Sequence, residues 1–163
     1  MSTQLYCNYE ELTKLPNLSD NLIDLFCGGN CLTTLPKRLP EHLVTISCHR
    51  NRLTKLPEHL PNTLKYLYCW NNRFITLPEH LPNTLTLLLC YVNYFTKLPK
   101  QLPNLTNFDF SDNPFCFNIF QVLTNTNITS YNNYKVLVKI QVNRINGKIS
   151  YFCRDINRLC NSY

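Results

Sequence analysis

Residues 64–82 read LKYLYCWNNRFITLPEHLP, and this stretch decides the fold. Leu64, Leu67, Cys69, Asn72 and Phe74 stand apart from the variable positions between them. Around Leu67 the chain alternates inward and outward for a few residues, as a short strand does. After Phe74 come Leu77-Pro78 and Leu81-Pro82. Proline fixes its own φ and drives the residue before it to extended geometry, so this link is expected to be non-helical.

The same line recurs on both sides, from Leu22 to Leu32, Leu43 to Leu53, Leu85 to Phe95 and Leu105 to Phe115. The closing asparagines, Asn30, Asn51, Asn72, Asn93 and Asn113, step by 21, 21, 21 and 20 residues. A degenerate first copy runs from Leu5 through Cys7 to Leu12, with Glu10 in the asparagine position. Nine of the ten prolines fall into two columns, Pro16, Pro36, Pro57, Pro78 and Pro99, and Pro40, Pro61, Pro82 and Pro103; Pro114 alone does not. One short strand per beat stacks into a parallel sheet, and each turn buries its apolar ladder against its neighbours. The asparagine amides are suited to bonding backbone groups left open where the strand turns off the sheet.

The LxxLxLxxN strand with its LPxxLP link resembles the short bacterial-type leucine-rich repeat over roughly residues 2–116. That class includes host-directed bacterial effectors, and the Asn-, Ile- and Tyr-rich composition is most similar to leucine-rich-repeat proteins of amoeba-infecting giant viruses. The resemblance implies a leucine-rich-repeat solenoid with a parallel β-sheet on its concave face and extended convex links. It implies binding and leaves the ligand open. Some bacterial effectors add a large ubiquitin-ligase domain, for which the 47 residues after Cys116 are too few.

The expected organisation is a repeat array over 1–116 and a basic C-terminal cap or tail over 117–163. Nearly all of the formal charge of +6 belongs to the tail, where six basic residues face Asp155 alone. A nucleic-acid footprint over the repeats is therefore not expected. In the tail, Val138, Val142, Ile145, Ile149, Phe152, Ile156 and Leu159 follow a helical stripe that would cap the last turn or form a basic amphipathic helix. A hairpin about Asn146-Gly147 is the rival. The start shows no secretory signal, and no run reaches the ~20 apolar residues of a membrane span. With nine cysteines, an odd number, the expectation is reduced thiols in a soluble, intracellular protein, in the host cytoplasm if it is viral.

Cys7, Cys27, Cys48, Cys69 and Cys90 recur every 20–21 residues in place of an inward leucine. Metal ligands usually come in closely spaced pairs that converge on a point, so a row of this kind reads as core. His59 and His80 hold equivalent places in the LPEHLP link, and the repeat itself accounts for them. No nucleophile–base pair, phosphate loop or carboxylate pair is present, so neither an enzyme nor a cofactor or metal is expected.

The outward positions carry the information about function. Two neighbouring strands place Tyr66, Tyr68 and Trp70 beside Leu87, Leu89 and Tyr91, with His49 and Arg50 as a polar rim. At a strand spacing of about 4.8 Å the six would form one patch. Such patches are rarely left exposed without use. The leading expectation is a protein partner on the concave face. The alternatives are internal cover by the tail, or a structural homo-oligomer pairing through the patch or through the uncapped N-terminal sheet edge.

Overall fold

The computed structural model describes residues 3–96, 98–99, 101–110 and 112–113. Six three-residue strands, β1 (Gln4–Tyr6), β2 (Asp24–Phe26), β3 (Thr45–Ser47), β4 (Tyr66–Tyr68), β5 (Leu87–Leu89) and β6 (Asn107–Asp109), form one sheet in chain order. All five pairings are parallel and keep equivalent residues abreast, as in Ile46 with Leu67 and Leu67 with Leu88. The period of the sequence thereby becomes a set of columns running along the solenoid. Among the described residues the links contain no helix.

The inward columns form one continuous core. Leu25, Ile46, Leu67 and Leu88 are fully buried, and so are Cys27, Cys48, Cys69 and Cys90 beside them; Cys7 is nearly so. All five thiols are free. Burial pushes the Cys27 thiol far above its ordinary range, with the neighbouring Cys48 and Cys7 thiols adding to the effect. Desolvation also raises Cys48, Cys69 and Cys90, and the ionisable neighbours Cys69, Cys90 and Asp109 respectively add to the effect. These cysteines serve as small apolar side chains. In the later turns Phe74, Phe95 and Phe110 continue the core, with ring centroids 6.0 and 5.0 Å apart.

The asparagine column closes the backbone accounts of the turn. Asn72 donates from Nδ2 to the carbonyls of Cys48 (3.0 Å), Cys69 (3.2 Å) and Trp70 (3.4 Å), and its Oδ1 accepts the N–H of Leu53 at 3.0 Å. Asn51 and Asn93 repeat this pattern one turn earlier and one turn later. In the first turn, which lacks the residue, Asn30 accepts from both Glu10 and Leu12. Each amide therefore joins its own turn to the preceding one.

Immediately before each ladder asparagine the backbone is left-handed. Gly29, Arg50, Asn71, Val92 and Asp112 all have φ between 50° and 66°, and Tyr9 holds the corresponding place in the first turn. Glycine and asparagine suit that conformation, whereas a β-branched valine is strained in it.

In the middle links the second proline opens a tight turn back toward the sheet. Leu64 N donates to Pro61 O and Leu85 N to Pro82 O, both at 3.0 Å. Thr63 then spans two turns, donating from Oγ1 to the carbonyls of Glu41 and Leu43, and Thr84 does the same to Asn62 and Leu64. The expected cap over 117–163, its helix-or-hairpin alternatives and residues Ser111, Phe115 and Cys116 of the sixth beat lie outside the described residues.

Candidate binding surface

Strand alternation sends Leu67 inward and Tyr66 and Tyr68 outward. Register then sets Tyr66 beside Leu87 and Tyr68 beside Leu89. Tyr66 is 39% exposed, while Tyr68, Leu87 and Leu89 are half-buried by their neighbours. On β3 the equivalent outward residues are the short Thr45 and Ser47, and both are buried between the longer side chains of β2 and β4.

The third outward column lies just past the strand ends. There His49 stacks on Trp70 with centroids 4.6 Å apart and planes 14° apart, and Trp70 stacks on Tyr91 at 5.1 Å and 7°. The guanidinium of Arg50 sits 5.0 Å from the Trp70 ring centre, in cation–π contact. All eight expected site residues thus fall on one continuous surface across three turns. The surface consists of ring edges and aliphatic tips, because the faces of Trp70 are already covered.

Two glycines explain how the ladder continues into the first turns. A methyl on Gly28 would overlap the His49 ring, and one on Gly29 would overlap the Tyr9 ring. His49 leans over the vacant column position in the second turn and meets Tyr9 edge-on, with centroids 6.4 Å apart. Its Nδ1 also lies 3.0 Å from Ser47 Oγ. Desolvation, and secondarily the Arg50 charge, lower the His49 pKa. Tyr6 and Phe26 form a separate stack 4.8 Å apart.

Tyr9 and the Tyr6–Phe26 stack are absent from the site expected on sequence grounds. The adjacent pair Gly28-Gly29 was the available signal, since it marks where rings from neighbouring turns can close over bare backbone. Among the described residues no three His, Cys, Asp or Glu side chains gather as metal ligands, and no helix is long and apolar enough to cross a membrane.

No family model matches the sequence, and no curated protein does. Solved structures do match. The chain is 32% identical to YopM from Yersinia enterocolitica, with a TM-score of 0.61, over 66% of this chain and 23% of that one. It is 32% identical to a Shigella effector leucine-rich-repeat domain, with a TM-score of 0.67, over 71% and 52%. It is 33% identical to YopM, a leucine-rich effector protein from Yersinia pestis, with a TM-score of 0.65, over 69% and 32%. The chain spans about a quarter to a half of the length of these neighbours. Its fold is a leucine-rich-repeat solenoid of the bacterial type.

Proposed function

We propose that this chain is a protein-binding module and not an enzyme, with its partner seated on the concave sheet face. The anchors are Tyr66, Tyr68, Trp70, Leu87, Leu89 and Tyr91, and His49 and Arg50 form the rim. The observation that carries the reading is the unbroken stack from His49 through Trp70 to Tyr91, flanked by the paired side chains of β4 and β5. Rings fixed by stacking lose little entropy on binding, and Trp, Tyr and Arg dominate interface hot spots. Likeness to bacterial effectors favours a host-directed role. The further likeness to giant-virus proteins rests on composition. In this reading the array ends near residue 116, and 117–163 is a basic cap or tail.

Affinity capture from a lysate with wild type and Trp70→Ala tests the proposal. The substitution is expected to cost at least ~2 kcal/mol in partner affinity. It should cost the fold less than the ~3–5 kcal/mol typical of a fully buried aromatic. Capture that ignores the substitution would move the site elsewhere. A second reading, a structural homo-oligomer, draws on the position of β1 at the end of the sheet beside an exposed Tyr6. Concentration-dependent mass by light scattering, abolished by Tyr6→Lys, would favour it.

A further inference from the structure

Charge in the array is concentrated where the ladder is. Residues 44–78 contain Arg50, Arg52, Lys55, Lys65 and Arg73 against Glu58 alone, whereas residues 1–43 carry three basic and five acidic side chains and residues 79–116 carry two and three. Three of the five cations follow the ends of β3 and β4. Arg50 is spread on Trp70. Arg52 and Arg73 occupy the position after Asn51 and Asn72, where their backbone N–H groups donate to Leu32 O and Leu53 O of the preceding turns. They are successive rungs of one column, roughly 5 Å apart at the backbone. Both are exposed, and among the described residues no carboxylate pairs with either. Like charges abreast repel, and a carboxylate set between them would remove that cost.

We infer that this flank receives an extended acidic peptide segment of the partner, with carboxylates on Arg52 and Arg73 and its backbone or a further carboxylate on Arg50. The inference rests on the binding reading above and adds the chemistry of the partner. Geometry separates a peptide from a single-stranded nucleic acid. Bases bind such grooves by stacking on open aromatic faces. Here His49 and Tyr91 cover both faces of Trp70. What the ladder presents is the positive ring edge and the guanidinium fork, both of which suit carboxylate and carbonyl oxygens.

Trp70 is the only tryptophan and carries Arg50 on its ring, so its emission reports on a ligand that engages Arg50. The whole chain is titrated at low salt with an end-blocked glutamate–glycine peptide, and in parallel with a single-stranded oligonucleotide of matched charge. A saturable Trp70 change with the peptide is expected. It should weaken at least roughly tenfold in Arg52→Glu/Arg73→Glu, as for the loss of charge-assisted hydrogen bonds. The neutral Arg52→Gln/Arg73→Gln pair should fall between, and circular dichroism should be unchanged in both. No saturable change, binding indifferent to these substitutions, or tighter binding of the oligonucleotide would overturn the inference. If Trp70→Ala still abolishes partner capture in that event, the binding reading stands and only the acidic assignment falls.

Discussion

The imidazole of His49 lies against the bare backbone of Gly28 in the neighbouring turn, in space that a single methyl group would claim. A side chain at position 28 would require the ring to shift from its present stack on Trp70.

Gly28→Ala should displace His49 and loosen the ladder. The expected cost, measured by urea unfolding, is at the low end of the roughly 1–3 kcal/mol of core overpacking, because the half-buried ring can swing aside. The near-ultraviolet signal of Trp70 should change in the folded state. An unchanged signal together with unchanged stability would mean that the ring packs without needing the glycine.

Val92→Asn should stabilise the protein. Valine here has φ of 53°, and a left-handed conformation costs an L-residue about 1–2 kcal/mol. Asn71 already holds the same position one turn earlier. A gain of about 1 kcal/mol is expected in chemical denaturation, and a loss would show that the valine side chain has a packing role that outweighs its strain.

Asn72→Ala leaves Leu53 N–H without its acceptor and takes one of two amide donors from each of the Cys48 and Cys69 carbonyls, which keep Asn51 and Asn93 respectively. One unpaired buried group costs about 1–3 kcal/mol, so a loss within that range is expected. Asn72→Asp is the sharper test. It keeps the acceptor for Leu53 but turns a negative oxygen toward three carbonyls, so it should be at least as damaging. Equal stability of Asn72→Asp and wild type would show that the donor half of the amide is dispensable.

The buried thiols set an alkaline limit. Cys27, Cys48, Cys69 and Cys90 stay protonated in the fold because burial raises them. In the unfolded chain they ionise near pH 8.5. Above that pH the unfolded state binds fewer protons than the native state, so stability falls as pH rises, whereas the thiol contribution is complete below it. Unfolding free energies at pH 8 and pH 10 should show the drop, and Cys69→Val should make it shallower. Native thiols should also react slowly with a thiol reagent and fast once unfolded. Prompt native labelling of Cys48 would contradict the core assignment.

The columns were legible in the sequence because a 21-residue step repeats the same environment at the same residue type. Leucine, cysteine and asparagine each have one physical role there, and a single alternation about Leu67 settles which neighbours face outward. The left-handed column was not legible. Gly29 and Asn71 suit such a backbone, but Arg50, Val92 and Asp112 hold it because the asparagine that follows fixes the turn. The stacking on Trp70 depends on side-chain rotamers set by three turns together, and no single repeat encodes them. The column of Arg52 and Arg73 follows from that of Asn51 and Asn72, whereas the exposure of both side chains was not legible.

The two-sided grip of the asparagines has an evolutionary consequence. Cys27 O receives from Asn51 as Cys48 O receives from Asn72, so every junction between turns has the same chemistry. Excising or duplicating 21 residues between equivalent points would rejoin a carbonyl to an amide it already fits. The gene can thus gain or lose whole turns by unequal recombination without inventing a new seam. The surface is less forgiving: removing the turn that carries Trp70 would leave a sound scaffold and set His49 beside Tyr91, with its binding character changed in one step.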